Sequence, residues 1–153
     1  MKENIDTQKI ENFVLYKNSE ISIDERVNAL LEVMTLDEKI AQMMCIWEDN
    51  KTVLLDESGN LSFNKFVENF EHGIGQIGRI SDTGGGLSDS DTGKDSVEMA
   101  QLTNQIQKFV IENTRLGIPV IFHEETLHGL AAREATSYPQ PIGMASTFNP
   151  DLI

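Results

Sequence analysis

The sequence lacks the features that mark secreted and membrane proteins. Its single cysteine, Cys45, cannot form a disulfide within the chain. No apolar run approaches the roughly 18 residues that a membrane-spanning helix needs, and the N-terminus lacks the basic start and apolar stretch of a secretory signal. We therefore expect a cytoplasmic protein in which Cys45, with apolar neighbours, is an inert thiol buried in the core.

Positive charge is also scarce. The chain has 12 Lys and Arg against 25 Asp and Glu, which gives a net charge of −13. Such a field repels the phosphates of nucleic acids and of anionic lipids, so we expect neither nucleic acid nor a membrane surface as a partner. A neutral or cationic ligand is compatible with this charge. Apolar residues make up 39% of the 153 positions, which is sufficient for the core of a globular domain.

Capping signals predict two helices in the first third of the chain. The first begins near Ser22 or Asp24, and the second follows the capping box formed by Thr35 and Glu38. Their apolar residues recur at helical spacing, which predicts a buried face on each helix. The residues expected on these faces are Val27, Leu30, Leu31 and Met34 in the first helix and Leu36, Ile40, Met43 and Met44 in the second.

Two further helices are predicted around a glycine-rich segment. One carries an aromatic stripe and ends at Gly73 in a left-handed cap, and the other is a long helix opened by Asp95 and Glu98. Ile74 to Ile80, between them, predicts the first strand of a sheet, and residues 81–95 predict a loop. The expected buried residues are Phe63, Phe66, Val67 and Phe70 in the stripe and Met99, Leu102, Ile106, Phe109 and Val110 in the long helix.

The segment after the long helix carries the candidate site. Gly117 and Pro119 end the helix, and Val120 to Phe122 predict one central strand of a parallel sheet. A strand, a helix and a second strand in this order indicate an α/β fold. Two carboxylates, Glu124 and Glu125, follow the strand directly, at the end where α/β proteins bind ligands.

Three short motifs fail on their context. Gly73 to Gly78 matches a dinucleotide-binding string, but a helix precedes it and a loop follows it. The calcium-like run from Asp89 to Gly93 lacks a correctly spaced turn glycine and a bidentate carboxylate. His123 and His128 are five residues apart, which places them about 140° apart on a helix, so they cannot share a zinc ion from one helical face.

The order of several segments resembles a known enzyme family. The segments Arg115–Gly129, Ala135–Pro150 and Met34–Met43 are similar to the N-terminal barrel domain of glycoside hydrolase family 3, which includes β-glucosidases and β-xylosidases. The resemblance covers residues 22–153 and implies the N-terminal part of a (β/α)8 TIM-type barrel, incomplete in this chain because a closed barrel needs about 250 residues. Residues 1–21, which are polar and weakly periodic, are expected to form an N-terminal arm.

The resemblance implies hydrolysis of terminal non-reducing β-D-glycosidic bonds with retention, by two carboxyl groups about 5–5.5 Å apart. It implies that neither catalytic residue is in this chain, that no metal or cofactor is needed, and that the chain is inactive without a C-terminal part of the enzyme. It also implies that Glu125, which precedes Thr-Leu-His-Gly, binds hydroxyls of the terminal sugar of a β-linked oligosaccharide or glycoside. Glu124 is the substitute if the alignment is off by one residue, and His128 is the third candidate for substrate binding.

Other interpretations of the same residues stay open at this point. Glu124 or Glu125 fits a structural role, either capping a helix that starts at Thr126 or pairing with Arg133. His128 is compatible with a hydrogen-bonding role in its loop, and His123 with either kind of role. At the level of function, the alternatives are a non-catalytic carbohydrate-binding module and a metal-dependent hydrolase that uses His123, Glu124 and His128.

Overall fold

The computed structural model describes residues 2–47, 50–81 and 93–153 and divides into two compact units, Met1–Gln42 and Met43–Ile153. Each unit is described by itself. Most of the loop predicted at residues 81–95, including the calcium-like run up to residue 92, lies outside the described residues. No helix in the described ranges is long and apolar enough to cross a membrane.

The N-terminal unit is helical. It contains α1 (Lys2–Leu15), α2 (Ile23–Val33) and α3 (Leu36–Met43). Helix α1 occupies most of the predicted arm, although the division into an arm and a barrel portion stays a prediction. The predicted capping box of Thr35 and Glu38 is confirmed at the start of α3. The predicted start of α2 near Ser22 is confirmed as well, and Ser22 there forms a further capping box with Glu25. Helix α2 packs against α1, and the Nε of Arg26 donates to the carbonyl of Tyr16 over 3.0 Å.

The buried faces predicted for these two helices are wrong in detail. In α2 the buried residues are Ala29 and Val33, and in α3 they are Glu38 and Ala41. Helix α2 has its main contact with α1. Glu38 is buried because its carboxylate turns back to accept from the Thr35 N–H over 2.8 Å. The predicted core residues that are exposed instead are Val27, Leu31, Leu36, Ile40, Met43 and Met44.

The second unit contains a three-stranded parallel sheet, formed by β1 (Cys45–Ile46), β2 (Gln76–Gly78) and β3 (Ile121–His123) in the order β1-β2-β3. Two strand predictions need correction. The segment from Ile74 to Ile80 contains the second strand of the sheet and not the first. The first strand, β1, is not predicted because its two residues are too few to show any periodicity. Strand β3 lies at an edge of this sheet, which leaves Ile121 64% exposed.

In its described part, this unit also contains helices, which together with the parallel sheet give it an α/β fold. They are α4 (Asn50–Leu54), α5 (Phe63–Asn69), α6 (Ser96–Asn113) and α7 (Pro141–Ala145), followed by a short 3-10 helix, Pro150–Leu152. The predicted capping box of α6 is confirmed, with Asp95 as N-cap and Glu98 as its partner. The core forms where β2, α5 and α6 meet. Its fully buried apolar side chains are Leu54, Phe66, Ile74, Ile77, Ile106 and Val110.

The aromatic stripe and the long helix are placed largely as predicted. Leu102, Ile106 and Val110 are buried, and Met99 and Phe109 pack against the core. In α5, Phe66 and Phe70 are buried, whereas Phe63 and Val67 are half exposed. Gly73 has a φ of 84°, in the left-handed region predicted for it.

Helix α6 fixes where β3 begins. The side-chain amide of Gln107 accepts from the N–H of Val120 over 2.9 Å and donates to its carbonyl over 2.7 Å. The turn between them requires Gly117, which has a φ of 63° and where a Cβ would lie 2.8 Å from the carbonyl oxygen of Ile111. The position of β3, and therefore of the carboxylates that follow it, is set by this helix and turn.

Candidate functional site

The carboxyl ends of the three parallel strands lie side by side and form one rim. Trp47 follows β1 by one residue, Arg79 follows β2, and Glu124 follows β3. Because the strands are parallel and in register, the residues just past their ends are brought to the same edge. The predicted location of the candidate residues at a strand's exit agrees with this arrangement. The rim also contains residues that sequence reasoning did not select.

His123 lies across the middle strand and reaches the first. It is paired with Gly78 in the sheet, and a Cβ at Gly78 would lie only 2.7 Å from the Cε1 of the His123 ring. The glycine therefore provides the space that the imidazole occupies. The Nε2 of His123 is 3.4 Å from the Sγ of Cys45, and its ring meets the Trp47 ring edge to face at 6.3 Å.

The predicted burial of Cys45 is wrong. The thiol is exposed, because the segment from Cys45 to Ile46 is a strand whose end opens onto the rim. The apolar neighbours that indicated a core position are themselves exposed or partly exposed, including Met44 and Trp47.

Trp47 and Arg79 are rim residues that sequence reasoning missed. The guanidinium carbon of Arg79 lies 5.9 Å from the centroid of the Trp47 ring, within the range of a cation–π contact. Arg79 has a φ of 54°, uncommon for a residue with a side chain, and its N–H donates to the carbonyl of His123 over 2.8 Å. Their position in the sequence could have indicated them, because each residue directly follows a short apolar segment that forms a strand.

Glu124 is held by Ser81, which lies three residues after the end of β2. One carboxylate oxygen accepts from the N–H of Ser81 over 2.8 Å, and the other accepts from the Ser81 hydroxyl over 2.8 Å. The same hydroxyl lies 3.1 Å from the carbonyl oxygen of Ala131. Ser81 is 1% exposed and Glu124 is partly buried, so these contacts are partly shielded from water. The Glu124 carboxylate is thus occupied by two donors from one residue.

Glu125 is partly buried, and its carboxylate forms no hydrogen bond or ion pair with residues 2–47, 50–81 or 93–153. Only its backbone carbonyl is engaged, accepting from the N–H of Ala131 over 3.0 Å. The helix suggested at Thr126 does not form, because residues 124–126 have no regular structure. Capping of such a helix is therefore ruled out for both carboxylates.

Arg133 does not pair with either of these carboxylates. Its Nη2 contacts Asp95 and Glu98 at 2.8 Å each, at the first turn of α6. The hydrogen bond to Asp95 raises the pKa of Arg133, and the nearby charge of Glu98 acts in the same direction. The pKa of Asp95 is lowered, chiefly by the backbone N–H of Glu98 that its carboxylate accepts. This ion-pair cluster fastens the segment that follows Glu125 to the start of α6.

His128 lies in a tight turn stabilised by its neighbours. Its carbonyl accepts from the N–H of Tyr138 over 2.6 Å, and Gly129 has a φ of 103° in a place where a Cβ would collide with the carbonyl of Thr136. The Nδ1 atom of His128 is buried and has no hydrogen-bond partner among the described residues. The expected structural hydrogen bond of this ring is therefore not formed through Nδ1.

No metal site is evident in the described part of the chain, where no three or more His, Cys, Asp or Glu side chains are grouped closely enough to hold an ion. The rim instead presents Glu124, which is held by Ser81, and Glu125, which has no hydrogen bond or ion pair with the described residues. Trp47 and Arg79 follow the two neighbouring strands. Such a rim suits an uncharged ligand with many hydroxyls.

Comparisons with known proteins find a matching family and several similar proteins. Residues 35–153 match the family description "Glycosyl hydrolase family 3 N terminal domain". The chain is 37% identical over 139 residues to a protein of Formosa agariphila described as a candidate beta-xylosidase, and 29% identical over 147 residues to beta-glucosidase C of Emericella nidulans. These alignments cover 90% and 91% of this chain but only 17% and 22% of the relatives, so the chain spans about a fifth of their length.

A solved structure is similar as well. A b-glucosidase from Erythrobacter marinus superposes with a TM-score of 0.55 at 30% identity, covering 90% of this chain and 16% of that protein.

Proposed function

We propose that this chain forms part of the sugar-binding rim of a β-glycosidase. The starting point is that the chain belongs to glycoside hydrolase family 3. The whole enzyme would hydrolyse terminal non-reducing β-D-glycosidic bonds of a glycoside or β-linked oligosaccharide. The names of the relatives support this substrate class, since they include a beta-glucosidase and a candidate beta-xylosidase.

Glu125 is the residue that we propose binds the terminal sugar. The observation that carries this assignment is the contrast between the two adjacent carboxylates: Glu124 is occupied by Ser81, whereas Glu125 has no partner among the described residues. A carboxylate suits this task because it can accept hydrogen bonds from two neighbouring sugar hydroxyls, and bonds to a charged acceptor are stronger than neutral ones.

Glu124 and His128 complete the proposed binding region in supporting roles. Glu124 holds the start of the loop through Ser81, and His128 lies in the turn stabilised by Gly129 and Tyr138. A sugar bound to Glu125 would lie next to this turn. The buried Nδ1 of His128 makes its ring a further group that a ligand or another part of the enzyme can engage.

The chemistry that we propose for the whole enzyme is retaining hydrolysis. One carboxyl group attacks the anomeric carbon, and a second protonates the leaving oxygen, at a separation of about 5–5.5 Å. We place both groups outside these 153 residues, so that this chain binds and orients the sugar without cleaving it. This division of labour predicts that the 153-residue chain alone releases no product.

A direct test uses the single tryptophan, Trp47, which lies on the rim. The purified chain is titrated with methyl β-xyloside and methyl β-glucoside while Trp47 emission is recorded, and aryl β-glycosides are supplied to detect hydrolysis. We expect saturable binding without hydrolysis, weakened about tenfold or more by Glu125→Gln because hydrogen bonds to a charged group are lost. Glu112→Gln, the same change at an exposed position of α6, is the matched control and should bind normally.

Two outcomes would count against the proposal. Hydrolysis by the 153-residue chain that is lost in Glu125→Ala would make Glu125 a catalytic residue of a self-sufficient enzyme. Absence of sugar binding, both in this chain and in the complete product of its coding sequence, would remove the assignment altogether. Sugar binding by the complete product without any hydrolysis would instead favour a non-catalytic carbohydrate-binding module.

A further inference from the structure

Ser81 contacts the candidate loop on both sides of Glu125. Its N–H and hydroxyl each donate to the carboxylate of Glu124, which precedes Glu125. Its hydroxyl also lies 3.1 Å from the carbonyl of Ala131, and the N–H of Ala131 in turn donates to the carbonyl of Glu125. Ser81, a buried residue just after β2, therefore contacts the chain on both sides of Glu125, by hydrogen bonds to Glu124 and by a 3.1 Å polar contact with Ala131.

We infer that Ser81 is a positioning residue, which holds the Glu125 carboxylate in place for the sugar by fixing Glu124 and the backbone next to it. This inference rests on the proposed function, because it requires Glu125 to bind the sugar. Ser81 itself touches no ligand in this scheme and acts only through Glu124.

The burial of Ser81 supports such a role. A hydrogen-bonded carboxylate in a site shielded from water is costly to disconnect, because its desolvated oxygens then lack a donor. Two donors on two different oxygens also prevent the Glu124 side chain from rotating. With Glu124 anchored, the flexible chain at Glu125 loses fewer conformations when a ligand binds, and preorganisation of this kind strengthens binding.

Arg133 provides a second attachment of the same segment. It binds Asp95 and Glu98 at the start of α6, on the far side of the turn that contains His128. The segment from Glu124 to Arg133 is thus fastened at both ends, once by Ser81 and once by this ion-pair cluster. The Ser81 end is adjacent to Glu125, so its loss should affect the sugar more directly.

The test measures whether Ser81 acts through Glu125, in the complete product of the coding sequence that contains residues 1–153. Ser81→Ala, Glu125→Gln and the double variant are compared by kcat/KM on aryl β-glycosides, or by sugar Kd if the product binds without hydrolysis. We expect Ser81→Ala to lower kcat/KM, or to weaken binding, about three- to tenfold in the wild-type background and less than about twofold in the Glu125→Gln background.

Controls separate positioning from stability. Ser58→Ala removes an exposed serine and should leave the kinetics unchanged, and Glu124→Gln should resemble Ser81→Ala because an amide cannot accept with both of its side-chain atoms. Circular dichroism at the assay temperature verifies that each variant is folded. If Ser81→Ala destabilises the protein, Glu124→Gln supplies the second variant for the same cycle with Glu125→Gln.

The outcomes distinguish this inference from the proposed function. Equal effects of Ser81→Ala in both backgrounds, or no effect in either, would overturn the positioning role while leaving Glu125 as the sugar-binding residue. No effect of Glu125→Gln on a product that binds or cleaves glycosides would instead refute the proposed function of Glu125, and the inference about Ser81 with it.

Discussion

The contact between Gly78 and His123 makes a strong prediction about the rim. An added Cβ at Gly78 would lie 2.7 Å from Cε1, 3.1 Å from Nε2 and 3.3 Å from Nδ1 of the His123 ring. Favourable contacts between such atoms need about 3.5–4.0 Å. Gly78→Ala therefore forces either a shift of the strands or a rotation of the imidazole away from Cys45 and Trp47.

The strand shift and the rotation of the imidazole should lower the free energy of unfolding by similar amounts. Overpacking in a well-packed region costs about 1–3 kcal/mol. Rotation of the ring loses its aromatic contact with Trp47, worth about 0.5–1.5 kcal/mol, together with the contact to Cys45. Replacing glycine also lowers the conformational entropy of the unfolded chain, which stabilises the folded protein by about 0.4–1 kcal/mol. We expect a net loss of about 1.5 kcal/mol, which at an m-value of about 2 kcal/mol per M lowers the urea midpoint by roughly 0.8 M.

Urea unfolding followed by Trp47 emission measures this effect in the unit that contains the sheet, because Trp47 is the single tryptophan. Gly143→Ala is the matched control: a Cβ there meets nothing within 4 Å, and alanine favours the helix, so stability should stay the same or rise slightly. In a His123→Ala background, Gly78→Ala should become nearly neutral. A midpoint shift below about 0.2 M in the wild-type background, or an equal shift with and without His123, would refute the reasoning.

Two other predictions concern the core and the start of α6. Ile106→Ala leaves a cavity at a fully buried site and should lower the free energy of unfolding in urea by about 2–5 kcal/mol. Ile111→Ala, at a site 49% exposed on the same helix, should lower it by no more than about 0.5 kcal/mol. Equal losses would contradict the assigned core. The pKa of Asp95 is lowered from its ordinary value of 3.8 in the folded protein, so its contribution to stability is present above that value and is lost as the pH falls through the lowered one. The difference in Tm between wild type and Asp95→Asn should therefore be largest near neutral pH and shrink in acid, and a difference that does not change with pH would contradict this linkage.

Features that depend on neighbouring residues were predictable from the sequence. Both capping residues of α6, Asp95 and Glu98, lie within one turn of each other, and the same is true of Thr35 and Glu38 in α3. The spacing of Leu102, Ile106 and Val110 similarly predicts the buried side of α6, because an extended stretch of helix repeats the same pattern several times.

Features that depend on distant pairing were not predictable in this way. Strand β1 has two residues, and it exists because Cys45 pairs with Gln76, 31 positions later. Nothing local to Cys45 indicates that pairing, so an apolar neighbourhood was interpreted as a core. The predicted strand position of β3 was likewise correct, but its location at the sheet's edge depends on which strands pair with it. The described residues form three parallel strands, in keeping with the prediction of an incomplete barrel, whereas the predicted cytoplasmic location stays a prediction.

The candidate site shows the same division. Its position after β3 follows from the sequence, since an apolar strand segment followed by two carboxylates is a local pattern. The distinction between Glu124 and Glu125 is not local, because Ser81, which occupies Glu124, is 43 residues earlier. From sequence alone the two glutamates are interchangeable in chemistry, and only the hydrogen bonds of the folded chain assign them different roles.

The construction of the rim explains why the two adjacent glutamates differ in their hydrogen bonds. A parallel sheet brings the ends of strands that are far apart in the chain to one edge, so a residue from β2 can anchor a residue that follows β3. Satisfying Glu124 within the protein removes the cost of a second desolvated carboxylate next to Glu125. It also leaves Glu125 without a hydrogen bond or ion pair to the described residues. Under the proposed function, this carboxylate is the acceptor that the sugar engages. Two unsatisfied carboxylates side by side would instead repel each other.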